Sequence, residues 1–195
     1  MTDVPGLIDQ APLQDRDLLQ RLSLYFDAVD IRLRQGEGWF IFNALPGRSR
    51  RISSFIQARL SDHQPAVSSF FMPWRDFALS AYVTEVGLPE LAPAVGVDHR
   101  VKQEFDLAMR VTVDTWTQVV STDLLVLAGL QPANRHEAAL LDRTIEQRHS
   151  HKLATILLTP TMPQQLEAEF STVDSGEGYW GRIFGRMYET SLVAL

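Results

Sequence analysis

The sequence contains no cysteine. That absence excludes disulfide bridges, thiolate zinc sites, cysteine-ligated iron–sulfur clusters and a thiol nucleophile, and it fits a reducing compartment, with the cytoplasm as the expected location. No run of about 18 apolar residues exists, the length a membrane-spanning helix needs, so no membrane partner is expected. The stretch Met1 to Pro12 carries Asp3 and Asp9, with neither a basic cluster nor an apolar segment of signal-peptide length. Positive charge is scarce, with 18 Lys and Arg against 24 Asp and Glu and a net charge of −6. Nucleic-acid affinity comes mainly from Lys and Arg neutralising phosphates, so this charge argues against binding over the whole surface and leaves a local basic patch, with weak nucleic-acid binding, open. Glycine and proline, at 11 and 10 residues, are too few for a fibrous or low-complexity chain, and no internal repeat is present. What remains is 195 residues of which 45 % are hydrophobic and 22 % charged, the make-up of one packed domain. The expected division is an N-terminal tail over residues 1–14 and a single domain over 15–195.

Apolar spacing predicts the elements. From Asp15 to Arg34, Leu18, Leu19, Leu22, Phe26, Val29, Ile31 and Leu33 recur mostly at intervals of three and four, an amphipathic helix ended by Gly36 and Gly38. Its wide apolar stripe reads either as core or as a docking surface for a partner helix. Trp39-Phe40-Ile41-Phe42 reads as a strand covered on both faces. After the turn at Asn43 to Gly47, a helix is expected from Arg50 to Ser61, a strand from Ala66 to Phe71 and a helix from Trp74 to Val86. Gly87 to Val97 reads as a connection, and Asp98 to Ser121 as helical with a break near the β-branched cluster Thr112 to Thr115. Strands at Asp123 to Leu127 and Leu153 to Leu158 flank a charged helix from Arg135 to His149. A helix at Pro163 to Phe170, a polar loop at Ser171 to Gly178, a helix at Arg182 to Tyr188 and a strand at Leu192 to Leu195 complete the chain. This alternation predicts an α/β three-layer sandwich around a mostly parallel sheet of four or five strands.

Ligands of such sheets bind beyond the carboxyl ends of the strands, which directs attention to Ala44-Leu45-Pro46-Gly47-Arg48-Ser49-Arg50-Arg51. That segment stands where a phosphate-binding loop would stand, between a buried strand and a helix N-terminus. With it, Ile31 to Phe42 resembles the approach to the Walker A loop of the AAA+ helicase loaders and transposase helpers typified by DnaC and IstB. Thr122 to Leu130 resembles their Walker B strand and its exit. Leu140 to Arg148 followed by Leu153 to Pro160 is similar to the next helix and sensor strand, and Gln164 to Glu167 and Gly181 to Glu189 to the closing helices. The resemblance runs in family order over residues 20–195. It implies a P-loop NTPase fold and partners among a replicative helicase, a replication initiator, a transposase or an active AAA+ protein, with oligomer formation open.

The departures from the family pattern concern chemistry. Phosphoryl transfer on a P-loop needs glycines that let backbone N–H groups approach the phosphates, a Lys for the β/γ oxygens and a hydroxyl on magnesium. Against G-x-x-x-x-G-K-[ST], Ala44 and Ser49 replace the glycines, Arg50 stands at the lysine and Arg51 at the hydroxyl, with Pro46 and Gly47 between them. The strand-end acids that the resemblance calls for are Ala128 and Gly129 here. Asp123 opens the same strand about 15 Å from that end, too far to substitute, and reads as a local cap. The expectation is therefore a catalytically inactive, pseudo-ATPase adaptor without a resident cofactor or metal, acting by protein–protein contact in DNA replication or transposition, with residual nucleotide or anion binding open. The alternatives are an ATPase that uses Arg50 in the lysine role, and a nucleic-acid module built from Arg48, Arg50, Arg51 and Arg59 near Trp39 and Trp74. Thr159 resembles the family's polar sensor; it also reads as a strand-end hydroxyl satisfying backbone. Arg182 and Arg186 fall where the family places nucleotide-addressing arginines, and either reach a partner's site or pair with acids of this chain. His149 and His151 lack the acid or Cys company of a metal site and read as surface residues.

Overall fold

The computed structural model describes residue 8 and residues 11–86 and 99–195. In chain order the elements are α1 (Leu13–Asp27), α2 (Val29–Arg34), β1 (Gly38–Ile41), α3 (Pro46–Ser61), β2 (Ser69–Pro73), α4 (Trp74–Val86), α5 (His99–Ser121), β3 (Leu124–Ala128), α6 (Arg135–Ser150), β4 (Ala154–Leu158), α7 (Pro163–Val173), α8 (Tyr179–Thr190) and β5 (Ser191–Ala194). The sheet has five strands in the order β2-β3-β4-β1-β5, all parallel. Phe40 of β1 lies level with Leu157 of β4 on one side and Val193 of β5 on the other.

The pleat of β1 divides its side chains between two cores. Trp39 and Ile41 face one layer, where Leu18, Leu22 and Phe26 of α1 and Ile52, Phe55 and Ile56 of α3 cover the sheet. Phe40 and Phe42 face the other, formed by Phe77 of α4, Leu141 of α6, Phe170 of α7 and Ile183 of α8. Both faces of the sheet are thus helix-covered, which is why its strands read as continuous apolar runs. β1 is also pressed against β4: a Cβ built on Gly38 would lie 1.9 Å from the carbonyl oxygen of Thr155. No described helix is long and apolar enough to cross a membrane.

Several boundaries differ from the sequence expectation. The first helix is two, because Ala28 leaves helical geometry (φ −119°, ψ 26°) and redirects the chain so that Val29 is buried while Ile31 is exposed. α3 begins at Pro46, four residues before Arg50, because proline at the first helical position has no N–H to satisfy and its φ is already helical. α5 runs unbroken through Thr112 to Thr115. β-Branched residues cost helix stability only in tenths of a kcal/mol, too little to force a break. α7 extends to Val173 and α8 starts at Tyr179, so the polar loop between them is shorter than Ser171 to Gly178. The connection expected at Gly87 to Val97 lies outside the described residues.

Two charged residues organise α6. At its start the Asn134 side chain accepts from His136 N and Glu137 N, while the Glu137 carboxylate accepts from Ala133 N at 2.9 Å and from Asn134 Nδ2 at 2.7 Å, a reciprocal cap. Near its end Arg148 is fully buried, and its guanidinium donates to the carbonyls of Val119, Thr122 and Ala154 and to the Thr155 hydroxyl. It thereby satisfies carbonyls at and just beyond the C-terminal turn of α5 and ties them to β4. Burial pushes its pKa down to about 10, with the negative charge of Asp123 opposing that shift.

Candidate functional site

The strand order reverses direction at β1: the connection from β1 leads away past β4 to β2, and the last strand returns to β1's other side. The crevice beyond the carboxyl ends of β1 and β4 is therefore the place where an open parallel sheet binds ligands. Here the loops bordering it are bonded to one another. Ala44 N donates to Thr159 O at 2.7 Å, Asn43 N to Thr161 O at 3.1 Å, and Gly129 N and Leu130 N both to Leu158 O at 2.9 Å. Asn43 adopts a left-handed conformation (φ 52°) to make the turn.

The segment expected to cradle phosphate is helical. Pro46 has no N–H, and Ser49 N donates to Leu45 O at 2.8 Å inside the first turn of α3. Gly47 lies outside the left-handed region, and a Cβ there would meet only the Arg51 guanidinium at 3.7 Å, so no close backbone approach explains the glycine. Two arginines crowd the position instead, gripping one carboxylate from α1. Asp15 is 1 % exposed and accepts from Arg48 Nε at 2.9 Å and from Arg51 Nε at 3.0 Å and Nη2 at 2.5 Å. The rest of the Arg48 guanidinium donates to Phe42 O, Asn43 O and Leu195 O, so this side chain knits the ends of β1 and β5 to α1 and α3. The cluster borders a cleft of about 370 Å³ lined by Asn43, Leu45, Gly47, Arg48, Arg51 and Leu195. Arg50, at the lysine position, is exposed.

At the end of β3, Ala128 and Gly129 bring no carboxylate, and Gly129 has φ +88°, which disfavours an acidic side chain at that position. Asp123, at the opposite end of the strand, accepts from Ser68 N at 3.3 Å. Thr159 is fully buried; its hydroxyl bonds Leu130 O and the Thr161 hydroxyl, both at 2.9 Å. Its hydrogen-bonding capacity is spent on the loops it holds together.

Arg182 and Arg186 of α8 converge on Asp142 of α6. Arg182 bonds Asp142 Oδ2 through Nε and Nη2 at 2.9 and 2.7 Å, and Arg186 reaches Oδ1 at 2.8 Å and Glu146 at 3.3 Å. The Arg182 guanidinium is held firmly protonated, chiefly by its hydrogen bond to Asp142. His149 meets Glu189 at 3.2 Å and His151 caps Gln147 O at 2.7 Å, and no cluster able to hold a metal ion occurs among the described residues. Trp39 and Trp74 are buried in opposite cores, so neither ring is open to stack on a base, and Arg59 is paired with Asp27.

Asp15, Asp142 and Arg148 belong to no sequence motif. Each nevertheless stands on an apolar helical stripe: Asp15 precedes Leu18, Leu19 and Leu22 at intervals of three, four and seven, and Asp142 and Arg148 share a face with Ala138, Leu141 and Ile145. A charge on such a stripe must be paired when buried, and that was the available signal.

No family model matches the chain, and no curated protein matches it. Solved structures do. The DnaC helicase loader aligns with a TM-score of 0.59 over 95 % of this chain and 92 % of its own, at 15 % identity. DnaI aligns at 0.54 over 95 % and 85 % of the two chains, with 14 % identity. The replication initiator DnaA, bound to AMPPCP and single-stranded DNA, aligns at 0.62 over 98 % of this chain, which spans 49 % of the DnaA chain, at 13 % identity. The five-stranded parallel sheet, its helices on both sides and these likenesses together establish a DnaC-type AAA+ fold for this chain.

Proposed function

We propose that this protein is a catalytically inactive AAA+-like adaptor that works by protein–protein contact in DNA replication, without ATP turnover. The observation that carries the reading is the Asp15–Arg48–Arg51 cluster on a helix that starts at Pro46. A protein carboxylate satisfies the guanidinium groups where phosphates would need donors, and the backbone there is coiled into helix rather than open as a nest. The strand end contributes Ala128 and Gly129, so neither a metal-bound water nor its activation has a carboxylate from this strand to rely on. The likeness to proteins described as a helicase loader and a replication initiator favours replication over transposition as the setting, with a replicative helicase or an initiator as partner.

Two measurements test this. Phosphate release from Mg·ATP at micromolar protein should stay at background; turnover lost on Arg50→Ala would establish the unconventional ATPase instead. Affinity for the helicase or initiator of the same cell should be unchanged by millimolar ATP and magnesium, and a clear nucleotide dependence would count against an adaptor that does not use nucleotide.

A further inference from the structure

α5 is the longest described helix, at 23 residues, yet Val119 near its end is its only buried residue among those whose side chains are described. Its anchors, Val119 and the half-buried Trp116 and Val120, sit in its last two turns, and Arg148 holds the carbonyls there. The preceding turns carry Leu107 and Val111 at 57 % and 55 % exposure, one helical step of four apart. Beside that pair runs a second row at the same spacing, Lys102, Asp106, Arg110 and Asp114, whose charges alternate along about 18 Å of helix. None of these four side chains pairs with another charged group among the described residues; Arg110 Nε donates only to the Asp106 carbonyl.

A row that alternates in this way is complementary to its own reversed copy. When two such helices lie antiparallel with the two-fold axis near residue 108, Asp106 of each faces Arg110 of the other, and Lys102 of each faces Asp114. Rows at intervals of four are the ridges that interdigitate when two helices cross at about −50°, which sets the Leu107–Val111 ridges beside the charged ones at the crossing. We infer that the occupant of this exposed face is a second copy of the chain, paired through α5 in an antiparallel, two-fold contact. The contact is small and partly polar, and so reversible. Complementary charges fix its register and suppress other alignments.

Sedimentation velocity on the full chain across a concentration series tests this. The wild type should self-associate reversibly. Asp106→Arg and Arg110→Asp each set like charges face to face twice and should weaken association about tenfold or more. An equimolar mixture of those two variants restores both Asp–Arg pairs in a heterodimer and should associate within about threefold of wild type. Leu107→Glu, at an exposed position, should abolish association while circular dichroism and the melting curve stay native. A wild type that remains monomeric at the highest concentration would overturn the inference. So would a dimer indifferent to all three substitutions, or a mixture no stronger than its components. None of these outcomes bears on ATP turnover, so the adaptor reading stands or falls separately.

Discussion

Replacing Asp15 by Asn keeps the side-chain volume and removes the negative charge that Arg48 and Arg51 share. The carboxylate is 1 % exposed and the Arg48 side chain 10 % exposed, so the loss strands a guanidinium in a largely dry setting. Removing one partner of a buried ion pair costs about 3–5 kcal/mol. Arg51, 42 % exposed, can turn to water and recover part of its solvation, which places the expected cost at the lower end, about 3 kcal/mol. With an unfolding entropy of about 2.1 cal/mol/K per residue over 195 residues, that corresponds to a Tm lower by about 7 °C. Calorimetry or urea unfolding measures it. Asp17→Asn provides the control: Asp17 pairs with Arg21 at 3.8 Å with its own side chain 83 % exposed, and its loss should stay within about 0.5 kcal/mol. Sulfate in the tens of millimolar should raise the Tm of Asp15→Asn by more than that of wild type, since the two arginines then accept an external anion. A loss below about 1 kcal/mol for Asp15→Asn, or one equal to that of Asp17→Asn, would refute the view that this carboxylate is what closes the site.

Other perturbations probe the scaffold. Gly38→Ala forces a Cβ into the Thr155 carbonyl at 1.9 Å, a backbone obstacle with no flexible end to move, and should cost more than about 4 kcal/mol, read as loss of soluble folded protein. Arg148→Met leaves the carbonyls of Val119, Thr122 and Ala154 short of a donor and should cost about 3 kcal/mol in urea unfolding; Arg148→Lys, which lacks the planar fork, should not restore it. Tyr25 donates to Glu37 O at 2.5 Å, and burial first, then repulsion from Glu37, raise its pKa above the ordinary phenol value of 10.0. A raised folded-state pKa means the folded protein keeps the proton that the unfolded chain loses, so this contribution is complete below pH 10 and declines as pH rises beyond it. Tyr25→Phe should be about 1 kcal/mol less stable at pH 8 and show a shallower alkaline decline, measured by urea midpoints up to pH 11.

The layered α/β architecture follows from the order of apolar runs, because a strand buried on both faces needs no alternation and therefore announces itself. Trp39 to Phe42, Leu124 to Leu127 and Ala154 to Leu158 are such runs, and each is a strand or its immediate extension. The departures from the P-loop pattern are equally legible, since Arg50 is a larger, planar cation than lysine, Arg51 has no hydroxyl to hold a metal, and Ala128 and Gly129 carry no charge whatever the fold does with them. Helix starts were less legible. Pro46 reads as part of a turn in the sequence because proline serves both a turn and the first helical position, and only packing of α3 on the sheet chooses between them.

Which charges meet was decided by the tertiary structure alone. Asp15 and Arg51 are separated by 36 positions, and Asp142 and Arg186 by 44, and nothing local couples them. Those pairs exist because α1 lies against α3 and α8 against α6 on their sheet faces, and because a charge brought into the interior must find its opposite there. Composition and periodicity specify which residues a chain can bury; three-dimensional packing assigns each buried charge its partner, as it gives Asp15 to Arg48 and Arg51 beyond the carboxyl end of β1.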